Sequence, residues 1–122
     1  MALTVSTQVS PVANRLVVET ASGATPNNNV LGAVGKVYTI DVDNSLNAVP
    51  CYLKLYDDGN PSVGTTAPNM IVPVKASQRR GCVIPEGLDF TVLSFACVTL
   101  PGNGGTTAPT QPVTVRLVCS VP

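Results

Sequence analysis

Four aspartates are the residues whose type and spacing best fit catalysis or metal binding. Asp41 and Asp43 lie two positions apart, so on a strand they point to the same face, and Asp57 and Asp58 follow the next predicted strand. Carboxylates grouped in this way bind calcium or act as an acid and base pair. If the two strands paired as a hairpin, however, the four groups would lie too far apart to converge. We therefore expect a solvated strand face and turn acids, with no metal, no cofactor and no catalytic residue.

Other routes to catalysis lack the residues that they need. The chain contains no His, which excludes a nucleophile of the Ser–His or Cys–His type. The sequence also lacks an S-x-x-K arrangement and a G-x-x-x-x-G-K-S/T phosphate loop. The glycines of residues 102–105 lie between predicted strands, with no helix to supply a dipole for phosphate. We expect a protein that is not an enzyme.

The four cysteines fit the core of a protein better than they fit a metal site. Cys51, Cys82, Cys97 and Cys119 have no close spacing of the C-x-x-C kind, so a zinc site would need thiolates from four separate elements. All but Cys82 lie in apolar runs typical of strands, which indicates small core residues in the reduced form. The alternative is a disulfide between Cys97 and Cys119, which would face each other if their strands formed a hairpin.

The composition indicates one domain with an almost uncharged surface. The chain has 122 residues, a length that supports a single core without disulfides or a metal. Only 11% of the residues are charged and the net charge is zero, whereas about a quarter is typical. The surface is either that of a neutral, Thr-rich β-protein or that of a subunit built to sit against neighbours, because few charges favour association.

Nucleic acid and membrane are both disfavoured as partners. Beyond Arg79–Arg80 the sequence has no basic cluster, and phosphate contacts need Lys and Arg density on one face. The longest apolar-rich stretch, residues 90–100, is about half the length that spans a bilayer. Residues 1–15 lack the basic start and apolar centre of a secretory signal, so we expect assembly in the cytoplasm of a cell.

Apolar residues that alternate with a period of two predict strands along most of the chain. Tyr38, Ile40 and Val42 form one such series, and every second residue from Val113 to Val121 forms another. Turn clusters rich in Gly, Pro, Asn and Asp separate the series. This pattern predicts an all-β protein, a single β-sandwich or jelly-roll domain of about seven to eight short antiparallel strands. We place strands near residues 15–20, 35–43, 48–57, 69–75, 79–84, 88–99 and 112–121.

Two segments of this pattern suit contacts with other subunits. Residues 88–99 are apolar on both faces, which predicts a central strand or a strand whose outer face another subunit covers. Arg79 and Arg80 precede Gly81 at a predicted sheet edge, where they protect the edge by charge or form a salt bridge to a neighbour.

The N-terminal part differs from the rest of the chain. We predict an arm at residues 1–14 and a β-sandwich domain at residues 15–122. Within the domain, residues 25–29 (TPNNN) have the composition of a flexible loop. The first ten residues are the part best suited to add to the sheet of a neighbouring subunit.

From Tyr52 to Val118 the chain resembles a group of small phage virion β-sandwich proteins. The resemblance covers a little over half the chain and lies in the order of short features. These are Leu53–Tyr56 (LKLY), Pro61–Pro68 (PSVGTTAP), the apolar alternation at Met70–Val74, Gly81, Gly87–Thr91 (GLDFT) and the late Thr/Val strand at Pro112–Val118. At Ala76–Arg80 the chain departs from the Gly/Ala-rich turns that such proteins often carry.

This resemblance implies a structural virion protein that binds the outside of a phage capsid as a cement or decoration subunit. The implied partners are the major capsid protein and further copies of the chain, with a trimer favoured. The alternative is a component of a fibre or tail tip with a receptor- or glycan-binding role. Either protein resides in the virion after assembly in the host cytoplasm, and the resemblance supplies no catalytic or ligand residue.

Overall fold

The computed structural model describes residues 2–7 and 13–122, and the described residues form eight strands and no helix. Accordingly, no helix among them has the length and apolarity needed to cross a membrane. The strands are β1 (Leu3–Thr7), β2 (Arg15–Ser22), β3 (Gly35–Asp43), β4 (Cys51–Asp57), β5 (Met70–Val74), β6 (Arg79–Phe90), β7 (Leu93–Val98) and β8 (Val113–Ser120).

The strands form two antiparallel sheets, which confirms the predicted all-β sandwich. One sheet has five strands in the order β1-β2-β8-β3-β6, and the other has three in the order β5-β4-β7. The predicted first strand at residues 15–20 is β2, and its register places Val17 opposite Leu117 of β8. The strand nearest the C-terminus thus lies between β2 and β3, a pairing across most of the chain that local sequence patterns do not reveal.

The core lies between the two sheets and follows the alternation of the sequence. On β8, Val113, Val115, Leu117 and Cys119 are all fully buried, whereas the residues between them are not. On β4 of the other sheet, Cys51, Leu53 and Leu55 belong to the same core cluster and face these residues. Each fully buried Val or Leu side chain contributes about 1.5–3 kcal/mol, so these alternating residues are the main stabilising part of the fold.

The chain turns a corner between β6 and β7, where the sequence predicted two strands with different bounds. The predicted strands at residues 79–84 and 88–99 are instead Arg79–Phe90 and Leu93–Val98. Residues 88–90 belong to the larger sheet and residues 93–98 to the smaller one. Both pieces are apolar because each faces the shared core, so the sequence reads as one strand although the chain changes sheets at residues 91–92.

A bulge in β3 changes the face on which Tyr38 lies. The predicted inward series began at Tyr38, but Val37 is buried while Tyr38 is only half-buried. From Val37 to Thr39 the strand β3 advances by two residues, while the paired strand β8 advances by only one. An extra residue of this kind shifts the alternation by one position. The inward series is therefore Val37, Ile40 and Val42, and Tyr38 belongs to the outer face.

The segment predicted as a flexible loop at residues 25–29 lies along the free edge of β7. Asn27 and Phe95 exchange two backbone hydrogen bonds, of 2.8 and 3.1 Å. Farther along the same edge, the Cys97 N–H donates to the carbonyl of Gly23 and the Val30 N–H donates to the carbonyl of Leu93. Backbone pairing with β7 thus holds the segment, a contact across nearly 70 residues that its Asn-rich composition does not indicate.

The outer face of the smaller sheet is covered by the chain itself. Every residue of β7 is buried, and on β4 the side chain of Lys54 is fully buried. Lys54 Nζ donates a 2.6 Å hydrogen bond to the carbonyl of Gly102, and Ser94 Oγ donates to the carbonyl of Asp58. The sequence left two explanations for the apolar segment at 88–99, a central strand or an outer face covered by another subunit. Because the chain itself covers β7, the second subunit is not needed.

Three loops meet at one end of the sandwich around two buried asparagines. Asn44 Nδ2 donates to the carbonyls of Val49 and Lys75. Asn47 Nδ2 donates to the carbonyl of Gln111, and its Oδ1 accepts the N–H of the same residue. The two side chains therefore join the β3–β4 loop, the β5–β6 loop and the segment before β8.

Candidate functional site

Asp41 and Asp43, the first pair of candidate carboxylates, are occupied by neighbours on the sheet surface. Asp41 forms a two-point ion pair with the guanidinium of Arg79 on the adjacent strand. Asp43 Oδ1 accepts the N–H of Ser45 at 3.0 Å, and hydrogen bonding from the side chain and the backbone of Ser45 lowers the pKa of the Asp43 carboxyl. Both acids thus stabilise the end of β3.

Asp57 and Asp58 lie on the other sheet, since β3 and β4 do not pair with each other. Asp57 Oδ1 accepts the backbone N–H groups of Thr91 and Val92, both at 2.9 Å. Asp58 Oδ1 accepts the N–H of Asn60 within its own turn. Among the described residues no group of three or more His, Cys, Asp or Glu side chains is placed to hold a metal.

The cysteines are free thiols, and three of them lie in the core as expected. The alternative bond between Cys97 and Cys119 is not formed, because β7 and β8 belong to different sheets and make no hairpin. Interaction with the Cys51 thiol, together with burial, raises the pKa of Cys97. Burial raises the pKa of Cys119 to about 12.

The two arginines lie at a sheet edge, as the sequence predicted, because β6 ends the order of the larger sheet. Arg79 is paired with Asp41, and Arg80 Nη1 donates to the carbonyl of Pro73 at 2.8 Å. Pro73 lies on β5, the edge of the smaller sheet, so Arg80 connects the edges of both sheets. A contact from either arginine to a neighbouring subunit remains a prediction.

The opposite edge of the larger sheet, β1, extends past the smaller sheet. All five residues of β1 are exposed, although Leu3 and Val5 lie opposite Glu19 and Val17, whose side chains face inward. Leu3 and Val5 are 39% and 40% exposed because the larger sheet has two strands more than the smaller one. We call this surface, made of Leu3–Thr7, the β1 overhang.

The β1 overhang combines two features that favour pairing with another chain. Its outer edge has no strand beside it among the described residues, so its backbone N–H and C=O groups are open to a partner. Its sequence, LTVST, contains none of the charges or prolines that commonly protect an edge. It lies within the predicted arm of residues 1–14, of which residues 1 and 8–12 lie outside the described part.

A groove lies on the outer face of the larger sheet, at the end where β3 begins. It has a volume of about 260 Å³ and is lined by Val34, Gly35, Lys36, Tyr38, Asp89, Ser120, Val121 and Pro122. Lys36 Nζ and Asp89 Oδ1 form an ion pair of 2.8 Å on its wall, and the hydrogen bond to Asp89 raises the pKa of Lys36. We call this surface the Tyr38 groove.

The β1 overhang falls within the first ten residues, which were predicted to add to a neighbouring sheet, whereas the sequence did not indicate the residues of the Tyr38 groove as binding residues. Tyr38 was assigned to the inner face, and the usable signal was Gly87, since a glycine within a strand often marks a bulge. The sequence around Lys54 gave no signal that this side chain is buried. Comparison of the chain with protein-family models, with curated proteins and with solved structures finds no match.

Proposed function

We propose that this chain is a structural virion protein that binds the outside of a phage capsid as a cement or decoration subunit. The observation that carries the proposal is the β1 overhang, an uncharged edge strand whose five residues are all exposed. The function of the protein is then to stabilise the capsid shell through contacts with other proteins. The partners are the major capsid protein and other copies of the chain, with a trimer favoured.

The overhang supplies both parts of a strand-addition contact. A partner strand placed beside β1 satisfies the open backbone groups, which gives affinity. Leu3 and Val5 contribute apolar area on the face that the smaller sheet leaves uncovered. Addition to the free edge lengthens the sheet without rearranging its core, because no residue of β1 is buried.

The composition and the family resemblance support the same proposal. A chain with zero net charge and 11% charged residues has little repulsion to keep copies apart. The phage virion character rests on the resemblance of residues 52–118. The apolar outer face of β7 does not add support, because the chain's own loops cover it.

A fibre or tail-tip component with a receptor- or glycan-binding role is the second candidate. The Tyr38 groove favours it, since an aromatic side chain lines an open pocket beside a charged pair. The two candidates predict different partners: other protein subunits at the β1 overhang, or a receptor in the groove.

The test combines assembly state with shell attachment. Native mass spectrometry and analytical ultracentrifugation of the purified chain are expected to show a discrete oligomer. Phage particles from cells that express the chain are expected to carry it at symmetry-related positions, visible by cryo-electron microscopy. A strict monomer that never attaches to a capsid would contradict the proposal.

A further inference from the structure

We propose that the Tyr38 groove is a saccharide-binding site that takes a single sugar ring. The inference does not depend on the role of the β1 overhang, because the groove belongs to β3, β6 and β8 and is complete within one chain. It would give the second candidate function its ligand class.

The backbone around Tyr38 is shaped so that this side chain leaves the core. On the β8 side, Tyr38 is the extra residue of the β3 bulge. On the β6 side, the register passes from Val83 opposite Thr39 to Leu88 opposite Val37. Four residues of β6, 84–87, therefore lie opposite Tyr38 alone. Bulges of this kind commonly re-aim a side chain beside a functional site.

Gly87 lets the phenol ring lie close to the backbone of β6. Its φ is +78°, a conformation that side chains rarely adopt. A Cβ at this position would lie 3.0 Å from Tyr38 Cε1 and 3.1 Å from Lys36 Cβ. The glycine is therefore required by the positions of these two side chains, and the ring is held in place on the surface of the sheet.

The groove offers the two kinds of contact that a sugar needs. A pyranose ring has a face of C–H groups, which packs on the electron-rich face of an aromatic ring, and a rim of hydroxyl groups. Asp89 accepts hydrogen bonds from such hydroxyls and Lys36 donates to them. The Tyr38 hydroxyl, which has no hydrogen-bond partner in the described part of the chain, is a third polar group for the same rim.

The charged residues at the groove favour a ligand with hydroxyl groups over a purely apolar one. Lys36 and Asp89 line the groove, and Glu86 lies on β6 next to Gly87. Both signs are present, so the face does not select a strongly charged ligand, and neutral hydroxyl groups pair with either sign.

The size of the groove sets the size of the ligand. At about 260 Å³ it lies just below the range of about 300–1,000 Å³ of sites for drug-sized molecules. One sugar ring fits this space and a chain of several does not. A single shallow site implies a dissociation constant on the order of 1 mM, which becomes useful when several copies bind together.

The experiment uses the full chain and defined sugars. Saturation-transfer NMR tests binding of glucose, galactose, mannose, rhamnose and N-acetylglucosamine, and chemical-shift mapping of the isotope-labelled protein locates the site. The chain tetramerised on streptavidin is applied to an array of bacterial surface polysaccharides. At least one sugar is expected to bind, with chemical-shift changes of the protein confined to the groove residues. Tyr38→Ala and Asp89→Asn are each expected to weaken binding at least tenfold.

Tyr52→Ala is the matched control, because Tyr52 is also half-buried but lies on β4 of the other sheet. It is expected to leave sugar binding unchanged. If Tyr38→Ala does not fold, Asp89→Asn decides alone, since Asp89 is exposed and the change preserves its size. The absence of binding to every sugar, or binding that survives both groove substitutions, would overturn the inference. Groove shifts that depend only on protein concentration would also overturn it and identify a second copy of the chain as the occupant.

Discussion

The side-chain amide of Asn47 donates a 2.9 Å hydrogen bond to Oδ1 of Asn44 inside the sandwich. Both residues are almost completely buried, and their remaining amide groups bond to backbone groups of three different loops. A buried polar network of this kind stabilises a fold only when its members are satisfied. The relationship therefore fixes how the loops at this end pack against one another.

We expect Asn47→Ala to lower the free energy of unfolding by about 3 kcal/mol. The change removes the bonds to Asn44 and Gln111 and leaves the buried side-chain oxygen of Asn44 and the backbone groups of Gln111 without these partners, and each buried group left unsatisfied costs about 1–3 kcal/mol. Urea unfolding measures the loss. Asn28→Ala is the control, since Asn28 is exposed and its side chain makes one long bond. Equal effects of the two changes would show that the network contributes nothing.

The corner between the two sheets depends on Asp57. Its carboxylate accepts two N–H groups at the turn, and hydrogen bonds to a charged group contribute about 1.5–3 kcal/mol. Because Asp57 is exposed, solvent weakens this contribution, and we expect Asp57→Ala to destabilise by about 1–2 kcal/mol. Asp58→Ala, which removes one bond within a turn, is expected to cost less. The order is checked by thermal unfolding, and a reversed order would argue against the role of Asp57.

Glu19 is a buried carboxylate whose oxygens have no hydrogen-bond partner among the described residues. An unpaired polar group in this position costs about 1–3 kcal/mol, and more when it is charged. We therefore expect Glu19→Leu to raise the stability at neutral pH by about 1–3 kcal/mol, with Glu19→Gln intermediate. Differential scanning calorimetry checks the gain, and Glu86→Leu at an exposed position is the control. A loss of stability on Glu19→Leu would indicate that a bound ion or another group holds the carboxylate.

The strands were predictable where one face is buried and the other is not. The span 35–43 matches β3, and the predictions at 69–75 and 112–121 exceed β5 and β8 by one residue at each end. In these segments the local alternation of apolar and polar residues is enough to predict the strand, because a half-buried strand has a period of two. The carboxylates at Asp41 and Asp57 were also correctly interpreted as surface and turn acids.

The remaining features depend on contacts between distant residues. The bulge at Tyr38 arises from mismatched lengths of β3, β6 and β8, and the cover over Lys54 comes from Gly102. Neither is encoded in a local window. The change of sheet after Phe90 has the same origin, since apolar residues on both sides of the corner face one core. The groove, which rests on the bulge, was therefore beyond the reach of alternation alone.

Alkaline pH is expected to destabilise the fold through Cys119. Burial raises the pKa of this thiol from its ordinary value of 9.0 to about 12. Between these values the unfolded chain loses a proton that the folded chain keeps, so stability is full below pH 9.0 and falls as the pH rises. The loss for one such thiol is about 1.4 kcal/mol per pH unit.

Cys119→Val removes this thiol while keeping an apolar side chain in the core. Its stability is expected to fall less steeply than that of the wild type from about pH 9 to about pH 10, as measured by urea unfolding with a reductant present. Cys82→Val, on the edge strand β6, is the control. Parallel stability curves for the wild type and Cys119→Val would show that the thiol titrates alike in both states.

The β1 overhang provides the sharpest test of the proposed assembly role. Val5→Lys places a charge on the exposed edge strand while leaving its backbone pairing with β2 intact. We expect the unfolding free energy of the isolated subunit to change by less than about 0.5 kcal/mol, as for other surface changes, and oligomer formation and capsid attachment to be lost. Deletion of residues 1–10 is expected to weaken attachment in the same way, with little change in the thermal midpoint.

Val83→Lys is the matched control, because Val83 is 71% exposed on β6 at the opposite edge of the same sheet. Assembly that survives Val5→Lys but fails in Val83→Lys would move the contact to the β6 edge, and a large loss of stability on deletion would show that β1 supports the core.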